Sequence, residues 1–227
     1  KISDDLIMIN TKLDAMESTG INKLDETKEV LIDISEITYR VTKLMENFSE
    51  GVGELDSGFS YISDSEYSNS RKSLKNASII FYDLEESLKK EKQIIEEIDD
   101  VTALSAVFPN EVQKIQGYLD YSISVSGQLG DISSITVTIV ENLNVFVIVQ
   151  EDLSALRFTE ASGKLKQIEK EMIQVQKYLL EINLMTENEE IKKTTNLLYD
   201  FSEVMIIGTQ ALIDLTEIRH EFEVLKE

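Results

Sequence analysis

His220 is the only histidine in the 227 residues, and cysteine is absent. Those two facts remove most side-chain chemistry. A zinc site wants three or four His, Cys or carboxylate ligands, whereas His220 stands between Arg219 and Glu221 as a solvent-facing helix residue. Disulfides and thiolate nucleophiles are excluded. A serine nucleophile would lack a base, because the one histidine sits in no recognised serine motif. Asp99 and Asp100 follow Glu96 and Glu97, but no spaced Asp/Asn loop with a central Gly is present to hold calcium. Gly51, Val52 and Gly53, and Ser162, Gly163 and Lys164, faintly resemble phosphate loops. Neither follows a strand or completes the P-loop spacing. With 43 acidic residues, paired carboxylates arise without purpose. The expectation is no enzyme activity, no catalytic residue, no metal and no cofactor. Asn47 and Asn76 begin two glycan-acceptor triplets, which arise often by chance.

What polar chemistry remains is recognition. Ser122, Ser124, Ser126, Ser133, Ser134, Thr136 and Thr138 crowd one segment, with Tyr118 and Tyr121 a turn before them. Small hydroxylated residues facing a bundle interior can line a polar cavity for a small ligand. Arginine is scarce, at positions Arg40, Arg71, Arg157 and Arg219. A half-buried guanidinium in so acidic a chain could select a carboxylate. Arg71, Arg157, Tyr118 and Tyr121 are the candidate contacts for a small polar or anionic metabolite. The plainer reading is surface solvation with close helix contact through serine.

The charge balance limits other partners. Twenty-two basic and 43 acidic residues leave a net charge of −21. Such a surface repels nucleic-acid backbones and anionic lipid headgroups, so neither nucleic acid nor direct lipid binding is expected.

These residues must be positioned by helices. A single proline leaves helices free to run long. Residues Leu6, Ile9, Leu13 and Met16, then Leu24, Thr27, Leu31, Ile34, Thr38, Val41, Met45, Phe48, Val52, Leu55, Phe59 and Ile62, recur at steps of three and four. This is a coiled-coil heptad seam with one irregularity near Gly20. Ser3 is a suitable N-cap, with Asp4 and Asp5 in the first turn. Unbroken to Ile62, the helix would be about 90 Å long, with Gly51, Gly53 and Gly58 as the place for a kink. Ser63 and Glu66 read as a capping box before a helix with core positions Leu74, Ala77, Phe81, Leu84, Leu88, Ile95, Ile98, Val101 and Leu104. That helix stops before Pro109.

From Pro109 the pattern resumes with Val112, Ile115 and Leu119, then Ile132, Ile135, Ile139, Leu143 and Phe146. Residues 145–149 are β-branched in part, yet the flanking period is helical. The most apolar stretch, 137–149, holds Glu141, Asn142 and Asn144 and falls short of the roughly 20 residues of a spanning helix. Leu153, Leu156, Leu165, Ile168, Met172, Val175, Leu179 and Ile182 follow, then a second capping box from Thr186 to Glu189. The last helix uses Ile191, Leu198, Phe201, Met205, Leu212, Leu215, Ile218, Phe222 and Leu225. Breaks at 62–64, 107–109, 150–152 and 186–188 give five helices. Breaks at Gly127 to Gly130 and at Ser162 and Gly163 instead give six, which is preferred because glycine terminates helices well.

The chain is therefore expected to be all-α, an elongated up-and-down bundle of five to six long helices. It would be one acidic domain over residues 1–227, read as a fragment of a longer protein because it opens at Lys1 and closes within a helical pattern. The long first helix, the amphipathic helices, the cut ends and the lack of cysteine together resemble the sensor domains of chemoreceptors (methyl-accepting chemotaxis proteins) and sensor histidine kinases. The resemblance covers the whole chain and is to the helical bimodular type. It implies two stacked four-helix modules sharing long helices, and a small-molecule ligand held between helices. It also implies signal transduction by a transmembrane receptor, an extracytoplasmic location, a homodimer, and chain ends at the same end of the bundle. The competing reading is a spectrin-like or coiled-coil spacer, or a protein-interaction module.

Overall fold

The computed structural model of the chain describes residues 11–12, 22–97 and 109–224. Among the described residues the regular structure is helical throughout, without a strand. Five long helices follow one another: α1 (Asn22–Ser63), α2 (Tyr67–Glu97), α3 (Pro109–Ser154), α4 (Phe158–Met185) and α5 (Glu189–Val224). The all-α expectation holds, and residues 145–149 are helical. Of the two helix counts, the five long helices agree with the smaller among the described residues. Gly127, Gly130 and Gly163 lie inside helices, and α1 runs unbroken through Gly51, Gly53 and Gly58. The expectations at Ser3, Leu6 to Met16, Ile98, Val101, Leu104 and Leu225, and the placement of the chain ends, fall outside the described residues.

The chain stops its helices by other means than glycine. At the end of α1 the amide of Ser65 donates to the Ile62 carbonyl at 3.0 Å, and that of Glu66 to the Tyr61 carbonyl at 2.8 Å. At the end of α3 the amide of Leu156 donates to Leu153 and that of Arg157 to Asp152. Both are Schellman closures, with Ser65 (φ 60°) and Leu156 (φ 59°) in the left-handed conformation usually given to glycine. Neither expected capping box forms. Ser63 ends α1 and bonds back to the Phe59 carbonyl. Asn188, not Thr186, caps α5, its side-chain oxygen accepting the amides of Glu190 and Ile191.

The helices divide between two compact units. The first takes residues 1–51 and 80–127. Its core joins Leu84, Leu88, Ile95 and Leu119 to Ile37, Val41, Leu44, Phe48 and Ile123. Phe48 meets Phe81 edge-on with centroids 5.8 Å apart. Arg40 pairs with Glu91, and Lys92 with Asp120. The pairings show α1 antiparallel to α2, and α2 to α3.

The second unit takes residues 52–79 and 128–227. Leu74 packs with Val137 and Val140, bordered by Leu55, Ile62 and Tyr67. Val149, Ala161, Leu165 and Ile213 form another cluster that joins α3, α4 and α5. Asn142 of α3 donates to Glu171 of α4 at 2.8 Å, and Lys166 of α4 pairs with Glu217 of α5 at 2.9 Å. Asn183, near the other end of α4, reaches Thr195 and Asn196. The falling index of each partner makes these three helices consecutive and antiparallel.

Two corrections concern register. The inward face of α1 keeps the expected Val41, Phe48, Leu55 and Ile62 but joins them to Ile37, Leu44, Gly51 and Gly58 rather than to Thr38, Met45, Val52 and Phe59; Met45 and Val52 are exposed. A Cβ on Gly58 would lie 2.6 Å from Leu74, and one on Gly51 2.9 Å from Phe81. The glycines are inward because α2 comes that close. In α3 an 18-residue window has mean hydropathy 1.8, so this helix is long and apolar enough to cross a membrane, contrary to the shorter estimate from residues 137–149. Its apolar residues Val137, Val140 and Val149 are packed by the other helices of the second unit.

Candidate functional site

The four expected ligand contacts divide between the two units. Tyr118 and Tyr121 belong to the first unit and both are exposed, Tyr118 to 72%. Arg71 and Arg157 belong to the second. The Arg71 Nε lies 2.5 Å from Glu141, which also faces Lys75. Arg157 lies in the α3–α4 turn and is committed to Asp152, at 2.6 Å from Nη2. Each arginine already holds a carboxylate of its own chain.

The Asp152 arrangement is a closing device for that turn. Its side chain is only 4% exposed and is shared between Arg157 and Lys164. The hydrogen bond from Lys164, then that from Arg157, holds its carboxyl below the usual carboxylate range, against burial, which pushes it up. Here a buried charge is paired twice and ties the start of α4 to the end of α3.

The serine- and threonine-rich segment of α3 is equally local in its bonding. Ser133 donates to the Leu129 carbonyl and Thr136 to that of Ile132. Such back-bonding satisfies the hydroxyls within their own helix. Ser126 is buried with its hydroxyl unpartnered among the described residues. A surface depression of about 480 Å³, open to solvent, is lined by Val147, Gln150, Glu151, Ser154 and Ala155. None of the four expected contacts lines it.

The most distinctive surface of the second unit is on α5, which carries two stripes. The inner stripe is Ile191, Thr195, Leu198, Ser202, Met205, Thr209 and Thr216, all buried. It faces α4, whose buried residues Phe158, Ala161, Leu165, Ile168, Met172, Val175, Leu179 and Ile182 step by three and four without a fault. The hydroxyls of the inner stripe recur every seven residues. Thr195, Ser202 and Thr216 bond to carbonyls of their own helix. Their small size admits α4 closely.

The outer stripe was not separated from the inner one by sequence reasoning. Leu197, Phe201, Val204, Gly208, Ala211, Leu215, Ile218 and Phe222 alternate steps of four and three, and every one is exposed. Leu197 is 69% exposed and Val204 68%. The two stripes are offset by one residue, about 100° around the helix. Phe201, Leu215, Ile218 and Phe222 had been expected in the core; they belong to this outer seam. The seam keeps apolar or small residues exposed over more than three heptads. A seven-residue period in Thr195, Ser202, Thr209 and Thr216 was the available signal, since it assigns the inner face to hydroxyls and leaves the apolar set outside.

Exposed ion pairs decorate the remaining helix faces, such as Lys90 with Glu86 and Lys193 with Glu190. Each contributes little to stability. Among the described residues no group of three or more His, Asp or Glu side chains could hold a metal ion. No protein-family model matches the chain, and neither a curated protein nor a solved structure does.

Proposed function

We propose that the chain is a helical protein-interaction module whose docking face is the outer seam of α5. The observation that carries this reading is the unbroken exposed heptad from Leu197 to Phe222. A helix that needed only to cover α4 would place polar residues on its far side, as amphipathic helices do. Here the second stripe is apolar over its whole length, and α4 is already satisfied by the first.

The test separates a docking face from structural packing. The pair Val204→Ser and Ile218→Ser is expected to change unfolding free energy by no more than about 0.5 kcal/mol at sub-micromolar protein, as for surface sites. Leu198→Ala, on the inner stripe, should cost about 2–5 kcal/mol. Urea titration followed by circular dichroism measures both. A core-sized loss in the Ser pair would refute the docking reading.

A ligand-sensing domain of a membrane receptor is the competing reading. It needs a free cationic contact, and Arg71 and Arg157 are each engaged by a carboxylate. A rise in melting temperature with a small organic anion would favour it over the module.

A further inference from the structure

We infer that the partner on the α5 seam is a second copy of this chain, docked in parallel and in register; this rests on the reading of α5 as a docking face. The seam assigns heptad positions. Phe201, Gly208, Leu215 and Phe222 take a, and Leu197, Val204, Ala211 and Ile218 take d. The flanks then decide orientation. In a parallel pair, each g residue faces the e residue five positions later in the partner helix.

Those flanks match. Ile207 at g would face Leu212 at e, apolar against apolar; Ile207 is exposed and Leu212 half-buried. Asp214 at g would face Arg219 at e, acid against base. Among the described residues neither Asp214 nor Arg219 has an ion-pair partner within the chain, and both are exposed. Each match occurs twice, as two-fold symmetry requires.

An antiparallel pair would set g against g. It would bring Asp200, Asp214 and Glu221 into one flank, against each other or against Ile207. The charge pattern therefore selects the parallel copy. The small residues Gly208 and Ala211 at the centre allow close approach, and a Cβ on Gly208 would meet nothing within 4 Å in its own chain. A lipid surface fits less well, since acids flank the seam and the chain carries −21.

The experiment is sedimentation equilibrium on the 227-residue chain with two charge reversals, Asp214→Arg and Arg219→Asp. The unaltered chain should associate to a dimer. Each reversal alone turns both symmetry-related pairs repulsive and should raise the dissociation constant at least tenfold. An equimolar mixture of the two variants restores opposite charges on both flanks and should associate as tightly as the unaltered chain. Monomeric unaltered chain up to millimolar concentration would overturn the inference. So would reversals that leave association unchanged, or a mixture that associates no better than its components. If the chain is monomeric but the Val204→Ser and Ile218→Ser pair costs nothing in folding, the self-docking inference falls while the docking face stands. Binding of the monomer to zwitterionic phosphatidylcholine vesicles, lost in that Ser pair, would equally count against a second copy.

Discussion

At the scale of the residue, two side chains at the α3–α4 turn show how this chain ends a helix without glycine. Leu156 holds φ 59° and is 65% exposed, so nothing it packs against requires a leucine there. The left-handed conformation costs an L-residue about 1–2 kcal/mol, and glycine gives back part of the difference through its freer unfolded chain. Leu156→Gly should therefore raise stability by about 0.5–1 kcal/mol. Leu156→Ala, which keeps a Cβ, should not; the urea midpoint distinguishes them. Asp152 beside it offers a pH signature. Its folded pKa is depressed by Lys164 and Arg157, so its stabilisation is present above the unfolded carboxylate value near about 3.9. That stabilisation is lost as pH falls through the lower folded value. Asp152→Asn should thus melt below the unaltered chain at neutral pH, and the gap should close at pH values beneath the folded pKa.

At the scale of the element, the glycines of α1 divide by what surrounds them. Gly53 has nothing within 4 Å of where a Cβ would stand, whereas Gly58 would place one 2.6 Å from Leu74. Gly53→Ala should stabilise by about 1 kcal/mol, the helix-propensity difference. Gly58→Ala should destabilise by about 1–3 kcal/mol, since α1 or Leu74 must move. Thermal melts of the two variants should shift in opposite directions. The same contrast explains what was legible in the sequence. The cores of α2 and α4 were read correctly from Leu74 to Ile95 and from Leu165 to Ile182, because their buried stripes are apolar at nearly every step. In α1 Val41, Phe48, Leu55 and Ile62 pack as expected, but the row beside them was misread, near its end because Gly51 and Gly58 are inward, which hydrophobic pattern cannot see. On α5 two seams one residue apart were merged into one, because the inner seam is marked by hydroxyls every seven residues rather than by apolar side chains alone. The turn at Leu156 was invisible because its cause is a buried carboxylate clasped by residues five and twelve positions on. The candidate contacts Arg71 and Arg157 were chosen for scarcity, but scarcity does not reveal that Glu141 and Asp152 already hold them.

At the scale of the whole molecule, neither compact unit is a continuous stretch of chain. Residues 52–79 belong with 128–227, while 80–127 belong with what precedes them. The first part of α2 therefore carries Leu74, a fully buried residue, whose partners Val137 and Val140 come much later in the sequence. During synthesis at about 5–20 residues per second, roughly sixty residues must follow Leu74, which takes about 3–12 seconds. For that interval Leu74 has its α1 neighbours Leu55, Gly58 and Ile62 but lacks the α3 residues that complete its cover. The first unit has no such delay after residue 127, because all of its segments have by then been made. Order of appearance on the ribosome is thus built into the interleaving.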